Sequence, residues 1–122
     1  MTELDNNLAR DLALTETVQG FINLLRTRAG LTRVDIAIAT RASTSAVRNW
    51  EVGYNQPRTE YGHRLIMLVE VVSVLSETLT PRGIHQWLNL PNRELNGMQP
   101  IKMIPSGRAL EAAQFLVGDG IV

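Results

Sequence analysis

The chain has 122 residues, no cysteine, and twelve basic groups against twelve acidic ones, enough for one compact domain or two small ones sharing a core. The missing cysteines exclude a disulfide framework, a thiolate zinc site and a thiol nucleophile, and the acidic, polar start MTELDNNLARD lacks the basic and apolar regions of a secretory signal. Zero net charge argues against a uniformly basic surface, yet residues 31–64 hold five arginines and three acids while both flanking segments carry one excess acid, and phosphate binding needs only a local patch.

Leu4, Leu8 and Leu12 sit at helical spacing in an otherwise polar start, which reads as an arm or a short helix. A clearer helix opens at Thr15 or Thr17, presents Val18, Phe21, Ile22 and Leu25 on one face, and closes at Gly30. Thr32-Arg33-Val34-Asp35 has the form of a capping box and predicts a short helix to about Thr40. Ser43 caps the next, from Thr44 to about Val52, and loop signals follow in YNQPR, Tyr54 to Arg58.

From Thr59 to Leu79 the pattern is strongly helical. Tyr61, Leu65, Leu68, Val72, Leu75 and Leu79 are spaced 4, 3, 4, 3, 4, and Met67, Val71, Val74 and Thr78 form a second row. Glu70, Ser73 and Glu77 leave only a narrow polar stripe, so this helix must be covered on most sides, by the rest of the chain and by a second subunit. The most apolar run, Leu65 to Leu75, is broken by Glu70 and Ser73 and is too short to span a bilayer. We expect a soluble, cytoplasmic protein with no membrane association.

Thr80-Pro81 starts another helix, with Ile84, Trp87 and Leu88 inward and Pro91 as its stop. Asn92 caps one further turn that Gly97 closes, and Pro100 opens a second turn with Ile101 and Ile104 inward. Ser106 caps the last helix, whose inner side carries Ala109, Leu110, Ala113, Leu116 and Val117.

LTRVDIAIATRASTSAVRNWEVG, Leu31 to Gly53, resembles the helix-turn-helix of Xre/Cro-like repressors in Leu31-Thr32, Ile36-Ala37, Ser43, Val47, Trp50-Glu51 and Gly53. It departs from them at Arg41, where glycine is usual, and at Thr40, where a large apolar residue is usual. Independently of that likeness, Ile36, Val47 and Trp50 form an apolar wedge between two helices. Thr44, Ser45, Arg48, Asn49 and Val52 are left on the outward side of the second helix. Short hydroxyls followed one turn later by Arg and Asn suit base edges in the major groove. Ser43 and the helix N-terminus suit a phosphate, and Arg33 is placed for a backbone contact. The predicted DNA-binding set is Arg33, Ser43, Thr44, Ser45, Arg48 and Asn49. Trp50 is read as structural.

From Arg64 the chain resembles the Xre/MbcA/ParS antitoxins, partners of RES-domain toxins. RLIMLVEVVSVLSETL, GIHQWLNLPNRELNGMQPIKMI, Gly107 and the final helix carry the resemblance. It implies a type II antitoxin that binds the operator of its own toxin–antitoxin pair and holds an NAD⁺-destroying toxin inactive. It also implies that the C-terminal end, VGDGIV, reaches toward the toxin's active-site cleft, so Asp119, Gly120, Ile121 and Val122 are candidate toxin contacts, with Asn92 and Arg93. Trp87, Pro91, Gly97 and Pro100 are read as shaping the domain, and Asn92 as a cap more than a contact.

His63 and His85 have no carboxylate at a metal-ligand spacing, and no phosphate-cradling loop or nucleophile elbow appears. No catalysis, metal or cofactor is expected. The expected fold is all-α, an N-terminal helix-turn-helix bundle joined by a long central helix to a small C-terminal domain of short helices. We divide it into an arm and helix-turn-helix domain (1–58), a shared central helix and dimer interface (59–79), and a toxin-binding domain with its tail (80–122). The expected partners are a RES-domain toxin, operator DNA and a second copy of the chain. The alternatives are a stand-alone dimeric repressor with no toxin partner, and an adaptor that has lost DNA binding.

Overall fold

A computed structural model describes residues 3–119, the side chain of Asp119 excepted, and among them every regular element is helical. The order is α1 (Leu8–Leu14), α2 (Val18–Thr27), α3 (Arg33–Thr40), α4 (Thr44–Glu51), α5 (Thr59–Leu75) and α6 (Pro81–Asn89). The 3₁₀ turns η1 (Arg93–Leu95) and η2 (Pro100–Met103) follow, then α7 (Arg108–Asp119).

Side chains set the starts of these helices. Thr17, Ser43 and Thr80 accept the backbone N–H of Gly20, Ala46 and Gly83, each satisfying one of the donors a helix N-terminus leaves free. Thr32 and Asp35 form both halves of the capping box on α3. Gly30 follows α2 with φ of 75°, and a Cβ there would stand 3.3 Å from the carbonyl oxygen of Pro81. Glycine is therefore required twice over, by the left-handed backbone and by close approach to the first residue of α6.

The core is one apolar cluster running through the whole described chain, from Leu8 and Leu12 through Ile36, Trp50, Leu68 and Ile84 to Ala113. Helix α5 is its axis and packs against α1, α2, α3 and α7. Leu65, Leu68, Val72 and Leu75 of the predicted seam are buried inside this one chain, as is Val71 of the second row. Between Leu65 and Leu79 the exposed positions are Ile66, Glu70, Glu77 and Thr78, the last a member of the predicted second row.

The helix predicted to reach Leu79 stops at Leu75. Beyond it Glu77 and Thr78 donate three residues back, to Val74 and Leu75 carbonyls, and the Ser76 hydroxyl donates to the Ser73 carbonyl, so the chain tightens into turns before Thr80. Trp87 is also less enclosed than its spacing suggests. Ile84 and Leu88 are buried, whereas Trp87 is half-buried and shows one side to a cleft.

The N-terminal arm is fastened by one arginine. Arg28 donates from Nε and Nη2 to the two carboxylate oxygens of Asp5 at 2.6 and 2.8 Å, and from Nη1 to Asp11 at 2.8 Å. These hydrogen bonds hold both carboxyls below the ordinary value of 3.8. Because the folded values are depressed, the stabilisation is complete above 3.8 and is lost as pH falls through the lower folded values. The protection of the amides of residues 5–14, measured against the intrinsic exchange rate at each pH, should therefore fall as the pH drops below 3.8, ahead of that of the core. Arg28→Ala should make the arm exchange quickly at neutral pH as well.

Candidate functional site

Two surfaces combine unpartnered chemistry with a defined frame. The first is α4 and its surroundings. Thr44, Ser45 and Arg48 are exposed, Asn49 is half-buried, and Val47 and Trp50 are buried beneath them. Trp50 packs against Tyr61 with ring centroids 5.9 Å apart, and Arg64 lies 5.6 Å from the Tyr61 ring centre while donating to the Thr40 carbonyl at 3.2 Å. Helix α4 is thus seated on α5 through aromatic contact, and α5 is in turn tied to the end of α3 by Arg64.

Its C-terminal end is braced by a shared carboxylate. Glu51 accepts from Arg26 of α2 and from Arg33 of α3, each at 2.7 Å. Burial pushes the Glu51 carboxyl up, but the hydrogen bonds from Arg33 and Arg26 outweigh it and leave it below its ordinary value. Arg33 therefore has a structural partner that sequence spacing did not reveal. Its side chain nevertheless keeps 42% exposure, so the pairing with Glu51 does not enclose it.

The turn between α3 and α4 accommodates both departures from the helix-turn-helix pattern. Arg41 takes the left-handed backbone, φ 61°, that glycine would adopt without strain. Thr40 is fully buried and satisfies its hydroxyl on the Ile36 carbonyl at 2.8 Å, filling an apolar position with a self-paired polar side chain. Ser43 uses its oxygen to cap Ala46 at 3.0 Å, leaving its hydroxyl hydrogen for another acceptor.

Around α4 the fold gathers residues that the linear reading passed over. Asn55, Gln56 and Arg58 line a shallow cleft with Asn49, Trp50 and Tyr61. Tyr54 is 79% exposed and Val52 is 63% exposed. The only linear hint of this rim is the polar loop YNQPR after the helix.

The second surface lies between η1 and α7. One cleft is lined by Glu94, Leu95, Arg108, Glu111, Ala112 and Phe115, and its neighbour by Trp87, Asn92, Arg93, Ala112, Phe115 and Leu116, with Glu94 shared. Their volumes are about 250 and 340 Å³. Phe115 stands between them, 55% exposed. Asn92 accepts the Glu94 N–H at 2.8 Å, its carbonyl accepts from Leu95 and Gly97, and its own N–H donates to Met98. It is the cap and closing point of the turn, as well as part of the cleft wall. Arg93 is exposed at the rim.

Pro91 and Gly97 are exposed at the ends of this loop, Gly97 with φ of 85°, and Pro100 is buried at the start of η2. Gly120, Ile121 and Val122 lie outside the described residues, and Asp119 ends α7. Phe115 was missed by sequence reasoning because it falls off the inward face of α7, where a large apolar residue has no obvious structural task.

Among the described residues, no group of three or more histidine, aspartate or glutamate side chains comes together as a metal site, and no helix is long and apolar enough to cross a membrane. His85 nevertheless finds the carboxylate its sequence neighbourhood lacks. Its Nε2 lies 3.1 Å from Asp35 of α3.

No family model matches the chain. Its fold is that of a component of a toxin–antitoxin complex. It superposes on a chain of the crystal structure of the M. tuberculosis MbcT–MbcA toxin–antitoxin complex with a TM-score of 0.72 and 25% identity, over 88% of this chain and 99% of that one. In sequence it is 42% identical over 79 residues to a probable mycobacterial cidal antitoxin of Mycobacterium tuberculosis, spanning 65% of this chain and 67% of that protein. The chain belongs to the mycobacterial cidal antitoxin family.

Proposed function

We propose that this antitoxin binds and inhibits an NAD-degrading RES-domain toxin and represses its own operon by binding operator DNA. The observation that carries the reading is the pairing, in one antitoxin fold, of two separate surfaces with different chemistry. One is a braced helix with outward hydroxyls and an arginine, the other a cleft system around an exposed phenylalanine.

On the DNA side, Thr44, Ser45, Arg48 and Asn49 contact base edges, while Ser43 and Arg33 contact phosphates. Residues 1–58 form the DNA-binding part, 59–79 the shared helix, and 80–122 the toxin-binding part. Because the seam of α5 is consumed within the chain, a homodimer that reads paired half-sites uses outward positions such as Ile66 and not the buried Leu65, Leu68, Val72 and Leu75. On the toxin side, Asn92 and Arg93 meet the toxin beside Phe115, and the segment from Asp119 to Val122 continues toward its active-site cleft. The protein works in the cytoplasm, without a cofactor and without catalysis of its own.

Producing the chain together with its cognate toxin in a host the toxin arrests should restore growth and keep cellular NAD⁺ at the level of toxin-free cells. Growth arrest with falling NAD⁺ despite a folded antitoxin would refute the inhibitory role. In a band-shift titration on DNA from upstream of the gene, Arg48→Ala should weaken specific binding by roughly 5- to 150-fold, the loss of one base contact worth about 1–3 kcal/mol. Unchanged affinity would remove Arg48 from the reading surface.

A further inference from the structure

Arg41 occupies a backbone position that suits glycine. The chain leaves α3 through two bonds, from the Arg41 N–H to the Ile38 carbonyl at 3.3 Å and from the Ala42 N–H to the Ala37 carbonyl at 3.0 Å. Such a closure puts its pivot, Arg41, in the left-handed region. Gly30, Gly53, Gly97, Gly107 and Asn96 take the other left-handed positions. Glycine enters that region freely, and asparagine is the kind of side chain that tolerates it. Among the described residues, Arg41 alone adopts it against the full steric cost of an ordinary Cβ.

No contact inside the molecule offsets that cost. Arg41 is exposed, and its guanidinium makes no hydrogen bond, ion pair or aromatic contact among the described residues. Other arginines of this half are held. Arg10 pairs with Asp11, Arg26 and Arg33 with Glu51, and Arg28 with Asp5 and Asp11, while Arg64 donates to the Thr40 carbonyl. In residues 3–64 the arginines without such a partner are Arg41, Arg48 and Arg58, all exposed. They stand just before, on and just after α4.

Their places differ in what they can reach. Arg48 is on the outward face of α4, among side chains suited to base edges. Arg41 lies off that helix, at the end of α3 and two residues before Ser43. In a helix-turn-helix the second helix enters the groove while the first crosses the sugar–phosphate backbone, so the residue that ends α3 is carried over phosphates. We propose that Arg41 contacts a backbone phosphate of bound DNA, and that the turn keeps a strained arginine for the sake of that charge. The assignment rests on the reading of α4 as the DNA-binding helix. Unlike Arg33, which donates to Glu51 at 2.7 Å, Arg41 brings a guanidinium with no other partner.

The test replaces Arg41 by Gly, Asn and Lys in the full chain. Affinity is measured by fluorescence anisotropy across a salt series, on a duplex from upstream of the gene and on a scrambled duplex of the same composition. Glycine removes charge and strain together, asparagine removes the charge while tolerating the left-handed backbone, and lysine keeps the charge. Releasing one counterion fewer should flatten the slope of log K against log salt by about 0.9 in Arg41→Gly and Arg41→Asn. That slope corresponds to affinity losses of about 5-fold at 0.15 M salt and about 15-fold at 0.05 M. Both duplexes should lose equally, because a phosphate carries no sequence. Arg41→Lys should keep the wild-type slope. Arg41→Gly should melt at or above the wild-type temperature, since glycine relieves the strain.

An unchanged slope in the two neutral variants, or the same flattening in Arg41→Lys, overturns the phosphate contact while leaving DNA binding by α4 intact. A loss confined to the upstream duplex assigns Arg41 to base reading and overturns it too. So does a lowered melting temperature in Arg41→Gly, which would mean that the arginine serves the fold. Failure of the wild type to bind either duplex overturns the reading of α4 and the phosphate contact together.

Discussion

Truncating Leu68 to alanine should lower the unfolding free energy by about 3–4 kcal/mol, the range for deleting a large aliphatic side chain at a fully enclosed site. Leu68 is 0% exposed at the middle of α5, the helix that touches α1, α2, α3 and α7. A void there therefore borders both halves of the molecule at once, and no single neighbour can close it. The expected drop in melting temperature is roughly 10–20 °C for a chain of this size. Urea unfolding followed by circular dichroism would measure it. Ile66→Ala, two positions away and exposed, should stay within about 1 kcal/mol of wild type. Equal losses at the two positions would mean that α5 is not enclosed as described. A single cooperative transition is expected for both variants, because the apolar cluster is continuous from Leu8 to Ala113.

The second large effect is expected at Phe115. An exposed aromatic between two clefts has the features of an interface anchor, and removing such an anchor typically costs about 2–4 kcal/mol of binding. Phe115→Asp should thus weaken toxin binding by roughly 30- to 1,000-fold and abolish growth rescue at matched expression. Its melting temperature and DNA affinity should be unchanged, since the side chain contributes little to the core. Titration calorimetry against the toxin separates these outcomes. Toxin affinity within a factor of two of wild type would move the docking surface away from the η1–α7 clefts. It would leave the segment after α7 as the remaining contact candidate.

Helix existence was largely legible, and so were most starts. Threonine or serine at 17, 32, 43 and 80 marks a first turn because a short hydroxyl can reach a free N–H two or three residues on, a strictly local interaction. The end of α5 was misjudged for the opposite reason. Its apolar spacing continues to Leu79, but hydrogen bonds tighten after Leu75 where the chain must turn toward α6. Periodicity reports which side chains want burial and does not report where the backbone stops being an α-helix.

The candidate DNA face was legible as a set of outward positions on α4, because helical spacing alone separates 45, 48, 49 and 52 from the inward 47 and 50. The occupancy of Arg33 was not. Its bond to Glu51 joins residues eighteen apart through the angle between α3 and α4, and Arg26 reaches the same carboxylate from α2. Trp87 shows the same limit from the other side. Spacing assigned it to the core, yet the turn at η1 leaves one side of its ring facing a cleft.

By itself the amino-acid sequence determined the all-helical class, the caps, the inward faces and the outward face of α4, because each follows from contacts within one or two turns of chain. Only the tertiary structure decided that the α5 seam is spent inside one chain and that Phe115 stands between two clefts. It alone decided that Asp35 is held by His85 and Asn89. These depend on how helices remote in sequence are brought together, and charge, hydroxyl and apolar periodicity say nothing about which distant partner a side chain will meet.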